Sequence, residues 1–197
     1  MDINTGGIMD INTWSKTILS VYNHLENITK SIDNIVYTKA INSHNYYGNN
    51  DVLVLAEKIT ELTKRKIKLI NLKVLTDQIL SEMEKLQAKI LILKFFYQFS
   101  TERILSIMNL SERSFYRKIN EALVAFSTIC EKKGFNCEKL YSIYGSEGWI
   151  IEVFNNLFLQ KNKNGRPGTI NFFDELFLNK IYKSYKKPPK IISVLAN

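Results

Sequence analysis

Residues 93–127 read LKFFYQFSTERILSIMNLSERSFYRKINEALVAFS, and the architecture expected of the chain grows outward from them. Ser100 or Thr101 can cap a first short helix, and Glu102 puts a negative charge where the helix dipole favours one. Ile104, Ile107 and Met108 recur at helical spacing and predict its apolar face. Asn109 sits where the chain must turn, and Asn tolerates left-handed backbone angles better than most residues. Leu110 is expected to plug the corner. Ser111 can cap a second helix. Phe115, Ile119, Ala122, Leu123 and Phe126 are three or four residues apart and form one packing stripe. The opposite face carries Glu112, Arg113, Tyr116, Arg117 and Asn120, with Ser114 and Lys118 on its flanks.

Two short helices, a tight turn and a polar outer face on the second form the layout of a helix-turn-helix DNA reader. The first turns of such a second helix reach base edges. Arg reads guanine and Asn reads adenine, each with two hydrogen bonds. The expected base-side residues are therefore Arg113, Ser114, Tyr116, Arg117 and Asn120. Lys94, Arg103 and Lys118 are the expected phosphate contacts. A compact helix pair with a solvated basic face is the plainer alternative.

The same residues resemble region 4 of bacterial sigma factors. The run Lys94-Phe95-Phe96-Tyr97 stands where that family has an arginine–aromatic run. Ser100, Glu102 and Ile104 match its first helix, Asn109-Leu110-Ser111 its turn, and Ala122-Leu123 the end of its second helix. Leu105 replaces a small residue and Asn109 replaces the turn glycine. The match covers about 45 residues. No sigma region 2 precedes it, so the order of long helices followed by a region-4-like pair resembles phage and prophage transcription regulators of the ArpU and RinA kind. That resemblance implies promoter binding and control of phage genes.

Upstream, Ile18, Val21, Leu25, Ile28, Ile32 and Ile35 are spaced alternately by three and four residues, the seam of a coiled coil. This predicts a helix from Trp14 to about Tyr37, then a loop around Asn45–Asn50. A second long helix is expected from Asp51 to about Leu86, with Leu55, Ile59, Leu62, Leu69, Leu72, Ile79, Met83 and Leu86 inward. The two helices predict an antiparallel hairpin. Either the hairpin forms a homodimer, which suits a reader of two half-sites, or it folds as a bundle within a monomer. Lys64, Arg65, Lys66 and Lys68 form a basic cluster, read as an auxiliary phosphate patch or a solvated face.

Downstream, Gly134 is expected to end the second helix of the pair. Trp149 to Phe158 and Phe172 to Tyr182 read as amphipathic helices, the latter stopped by Pro188-Pro189. Between them, Gly165-Arg166-Pro167 is either an interhelical loop or a short AT-hook that puts Arg166 into a minor groove. The expected fold is thus all-α: a flexible N-terminus at 1–13, a hairpin at 14–86, the helix-turn-helix at 87–134 and a helical C-terminal segment at 135–197.

Charge agrees with this order. Among 197 residues the formal charge is +8. Residues 1–60 carry four basic and six acidic side chains, residues 86–134 eight and four, and residues 135–197 nine and five. The excess of positive charge lies with the helix-turn-helix and the C-terminal segment, where it suits a polyanion. No stretch reaches membrane-spanning length without charge, and no signal peptide is visible, so a cytoplasmic protein without membrane contact is expected.

Cys130 and Cys137 lack a companion His and do not make a zinc set. His24 and His44 have no adjacent acid or thiol, and no phosphate-binding Gly-rich loop occurs. No enzyme, metal or cofactor is expected. The expected partners are double-stranded DNA, a second copy of the chain and RNA polymerase. Two other functions fit the same layout: a DNA-packaging factor resembling phage small terminase subunits, and a sigma mimic that occupies RNA polymerase without binding DNA.

Overall fold

The computed structural model describes residues 11–41 and 49–163, and all its regular structure is helical. Two long helices come first, α1 (Ile11–Ile41) and α2 (Asn49–Glu82). After them come α3 (Lys85–Leu91), a wide π-helical turn (Ile92–Phe96), α4 (Thr101–Met108), α5 (Glu112–Lys132), α6 (Cys137–Tyr144) and α7 (Gly148–Lys163). The expected all-α fold with a long N-terminal hairpin is what the chain adopts. Among the described residues, those up to Phe158 fall in one compact unit.

α1 and α2 run antiparallel, and their polar rungs give the register. Asp33 accepts from Lys66 Nζ at 2.6 Å, Glu26 from Lys73 Nζ at 3.2 Å, and Asp77 from the Tyr22 hydroxyl at 2.6 Å. The two residue numbers of each rung sum to 99, so the two helices of the hairpin pass one another without slippage. Along the same helices, Ile18, Val21, Leu25 and Ile32 of α1 and Leu69, Leu72 and Ile79 of α2 are buried.

The hairpin is more than a two-helix seam. α1 begins at Ile11, which takes in residues 11–13 that the sequence assigns to a flexible N-terminus. Its first turns are buried on nearly every side: Thr13, Trp14, Ser15, Thr17, Ile18 and Leu19 are all inaccessible. Trp14 stacks at a tilt on Phe154 of α7, with ring centroids 4.8 Å apart. Its indole N–H has no acceptor among the described residues. The hydroxyls of Ser15 and Thr17 turn back onto the carbonyls of Ile11 and Thr13, so these polar side chains enter the core with their donors satisfied.

α2 ends earlier than its periodicity predicts. Glu84 adopts extended angles (φ −56°, ψ 135°), the chain turns, and α3 starts at Lys85. Leu86, expected in the seam, is exposed in consequence. No Gly or Pro marks this break. It is set by packing, because the turn sends Ile90, Leu91, Leu93 and Phe95 inward, where α3 packs on α5. The π turn after α3 carries Phe96 onto Tyr22, the rings parallel and 3.9 Å apart, and its carbonyl accepts from Asn23 Nδ2 at 2.7 Å.

Beyond α5, Gly134 takes a left-handed φ of +81°, as expected of a helix-ending glycine. Asn136 then caps α6, accepting from the Lys139 N–H at 2.9 Å. On α7, Ile150, Val153 and Phe154 are buried. The second C-terminal amphipathic segment, the Pro188-Pro189 stop and the Gly165-Arg166-Pro167 run lie outside the described residues.

Candidate nucleic-acid interface

The α4–turn–α5 unit is built from local bonds. Ser100 caps α4 by accepting from the Arg103 N–H, and Ser111 caps α5 by accepting from the Ser114 N–H, both at 3.3 Å. Asn109 sits in the left-handed region at φ +50°, ψ 53°. That kink lets the Leu110 N–H reach back to the Leu105 carbonyl at 3.1 Å, closing the turn. The expected packing stripe of α5 is buried throughout, from Phe115 to Phe126, and rests on α3, α1, α2 and α4. On α4, Ile104 is buried, but Ile107, expected beside it, is exposed. A helix of two turns touching its neighbours along one edge has room for little more than Ile104 on the inner side.

The outer face of α5 presents Arg113, Tyr116, Arg117 and Asn120 together, all exposed. Arg117 is 70% exposed and its ion pair with Glu121, one turn on, is loose at 3.8 Å. Such exposed pairs are worth little, so the guanidinium can leave it at small cost. Ser114 stands apart from this group. It is half-buried and its hydroxyl lies 2.9 Å from that of Ser111, within the cap. Lys118 is half-buried on the flank of the helix.

Two further cations lie on α4 and just before it. The Arg103 guanidinium lies over the Phe99 ring, 3.7 Å from its centroid, an orientation that fixes a flexible side chain. Lys94, on the π turn, is half-buried. Burial pushes its ammonium below the ordinary lysine range, and attraction to Glu102 partly offsets this. Glu102 itself is held below the usual carboxylate range, chiefly by its own backbone N–H, then by Ser100, with a smaller contribution from Lys94. Phe99 and the neighbouring Gln98, at φ +52°, gave no signal in the sequence, because Phe99 precedes α4 and the helical period that relates Arg103 to its neighbours does not extend to it. Arg166 lies outside the described residues.

The basic cluster at 64–68 is divided by the fold. Arg65 donates to Glu147 at 2.8 Å and Lys66 pairs with Asp33, so neither is an idle phosphate contact. Glu147 is buried and also accepts from the Trp149 indole at 3.3 Å. Among the described residues no group of three or more His, Cys, Asp or Glu side chains could hold a metal ion. Within the same residues no helix is long and apolar enough to cross a membrane. Cys130 is buried and Cys137 half-buried, and no disulfide joins them.

The class these observations define is an all-α protein in which α4 and α5, joined by a short turn, follow a long helical hairpin, with α5 packed on both of the hairpin's helices. No family model, no curated protein and no solved structure matches the chain.

Proposed function

We propose that this chain is a sequence-specific reader of double-stranded DNA that controls transcription, with the N-terminal half of α5 in the major groove. The observation that carries this reading is the two-sidedness of α5. Phe115, Ile119, Ala122, Leu123 and Phe126 anchor one side in the core, while Arg113, Tyr116, Arg117 and Asn120 stand together on the other, exposed. A rigidly held helix with arginine and asparagine in its first turns has the donors that guanine and adenine edges accept. Arg113 and Arg117 are the principal base readers. Tyr116 and Asn120 assist them, and Lys118 and Arg103 hold phosphate. Ser114 serves the helix cap first.

The residue pattern shared with sigma region 4 supports a role at promoters, in the manner of phage and prophage regulators. A homodimer would present two α5 helices to two half-sites. RNA polymerase is the natural further partner of such a regulator.

Selection from random duplex DNA tests the reading, with the intact chain and with an Arg113→Ala/Arg117→Ala variant. A sharp motif that the double variant loses is expected. No enrichment, or enrichment unchanged by the two substitutions, would remove the reading.

A further inference from the structure

α2 carries two apolar stripes, and the fold uses one of them. Leu69, Leu72 and Ile79 face the core. On the other side lie Leu53, Ala56 and Thr60, followed by Thr63, Ile67, Ile70 and Val74. The steps are three and four in strict alternation over three heptads. All seven are exposed; Leu53 is 64%, Ile67 51%, Ile70 41% and Val74 46% accessible. The hydroxyls of Thr60 and Thr63 bond to the carbonyls of Ala56 and Ile59, which leaves their methyl groups for packing. The neighbouring helix has no stripe of that length: the exposed positions of α1 include Asn23, Glu26, Asn27, Lys30 and Asn34, with Tyr37 and Ile41 exposed only at its C-terminal end.

We propose that a second copy of this chain covers this seam, α2 packing antiparallel on α2. The inference rests on the dimer named above and gives it a surface. Two observations select the occupant and its direction. First, the seam complements itself when reversed. Leu53 then meets the partner's Ile70, Ala56 meets the partner's Ile67, and Thr60 meets the partner's Thr63, so small faces large and like-sized faces like-sized. Second, the flanking charges do the same. On one flank Lys66 and Lys73 are occupied by Asp33 and Glu26 of α1. The open flank carries Glu57 and Lys64, seven residues apart and both exposed. An antiparallel copy sets Glu57 beside the partner's Lys64 and Lys64 beside the partner's Glu57. A parallel copy would bring the open flank against the flank that α1 already covers.

Sedimentation equilibrium of the full chain is the test, with circular dichroism confirming that each variant keeps its helix content. The wild-type chain is expected to be a dimer. Ile67→Asp/Ile70→Asp should raise the dimer dissociation constant by about a hundredfold or more, since two charges per chain would enter an apolar interface. Glu57→Lys and Lys64→Glu should each weaken the dimer several-fold, and the two together should restore it.

A wild-type chain that stays monomeric at about 100 µM, well above the dissociation constants of specific interfaces, would overturn the inference. So would a dimer indifferent to both sets of substitutions, or a ring of eight or more subunits. Running the random-duplex selection on the seam variant separates this inference from DNA reading. A monomeric variant that still enriches a half-site sequence supports the seam, and loss of base preference in Arg113→Ala/Arg117→Ala is read independently of assembly.

Discussion

The hydroxyls of Ser15 and Ser127 lie 2.8 Å apart in the core, joining the first turns of α1 to the C-terminal half of α5 across 112 positions of sequence. The Ser127 oxygen also lies 2.9 Å from Asn12 Oδ1 and 2.8 Å from the Leu123 carbonyl. Four polar groups thus meet where α1 crosses the helix that exposes Arg113 and Arg117. The orientation of that exposed face is tied to the N-terminal helix, not only to the short α4 beside it.

Ser127→Ala removes a hub that neighbouring groups rely on. Its loss should cost about 0.5–1.5 kcal/mol, the net worth of a typical hydrogen bond, since Ser15 keeps its bond to the Ile11 carbonyl. Denaturant unfolding followed by circular dichroism measures it. A change within a few tenths of a kcal/mol would show that the serine contact is incidental.

Arg65 and Glu147 predict an asymmetry. Arg65→Ala leaves a buried carboxylate with the Trp149 indole as its remaining neighbour, and should destabilise by about 2–3 kcal/mol, at or below the usual range for a broken buried pair because Arg65 is partly exposed. Arg65→Ala combined with Glu147→Gln should recover a good part of that loss, because the stranded charge is gone. Equal stabilities for the single and double variants would contradict it.

Asn109 holds a left-handed turn. Asn109→Gly should be neutral or stabilising by up to about 1 kcal/mol, whereas Asn109→Ala should lose about 1 kcal/mol, since an alanine Cβ resists positive φ. Thermal melts of the two variants order them directly.

Stability should fall in alkali. Burial pushes the Cys130 thiol up to about 12; Glu131 and Cys137 add to this. The Tyr144 hydroxyl rises to about 12 chiefly through burial, and Tyr22 to about 12 through burial and then its bond to Asp77. Each of these groups is easier to ionise unfolded than folded. Their contribution is complete below the ordinary thiol and phenol range and is lost as pH rises from about 9 towards about 12. Melting temperatures across that window check the direction, and Tyr22→Phe should flatten the upper part. A thiol reagent should also leave Cys130 unmodified in the folded chain at pH 8.

For the proposed DNA contacts, Arg117→Ala should cost about 1–3 kcal/mol on the preferred site and relax preference at one base pair. Lys118→Ala should instead weaken all sequences alike and lower the salt dependence by about one counterion. Titrations at several salt concentrations on specific and scrambled duplexes tell these apart.

The features legible in the sequence were those that act over a few residues. Ser100, Asn109 and Ser111 announce two caps and a turn through side-chain and backbone preferences confined to four-residue windows, and the α5 stripe repeats long enough to be certain of its phase. The end of α2 at Glu82 was not legible, because no Gly or Pro stands there and the break is dictated by the residues α3 must bury. α6 went unseen because an eight-residue helix shows barely two turns of pattern. In the candidate site, the face with Arg113, Tyr116, Arg117 and Asn120 was legible from α5 alone. The engagement of Arg65 was not, since Glu147 lies 82 positions away.

The burial of Trp14 and Ser15 also sets a timetable. They leave the ribosome well before Ser127 and Phe154, the partners that seal them in the core. At about 5–20 residues per second, Ser15 waits roughly 6–22 seconds for its partner. The nascent chain therefore carries an unsealed tryptophan until Phe154 has been made. Until α5 has emerged, that end of α1 is a natural place for a chaperone to hold.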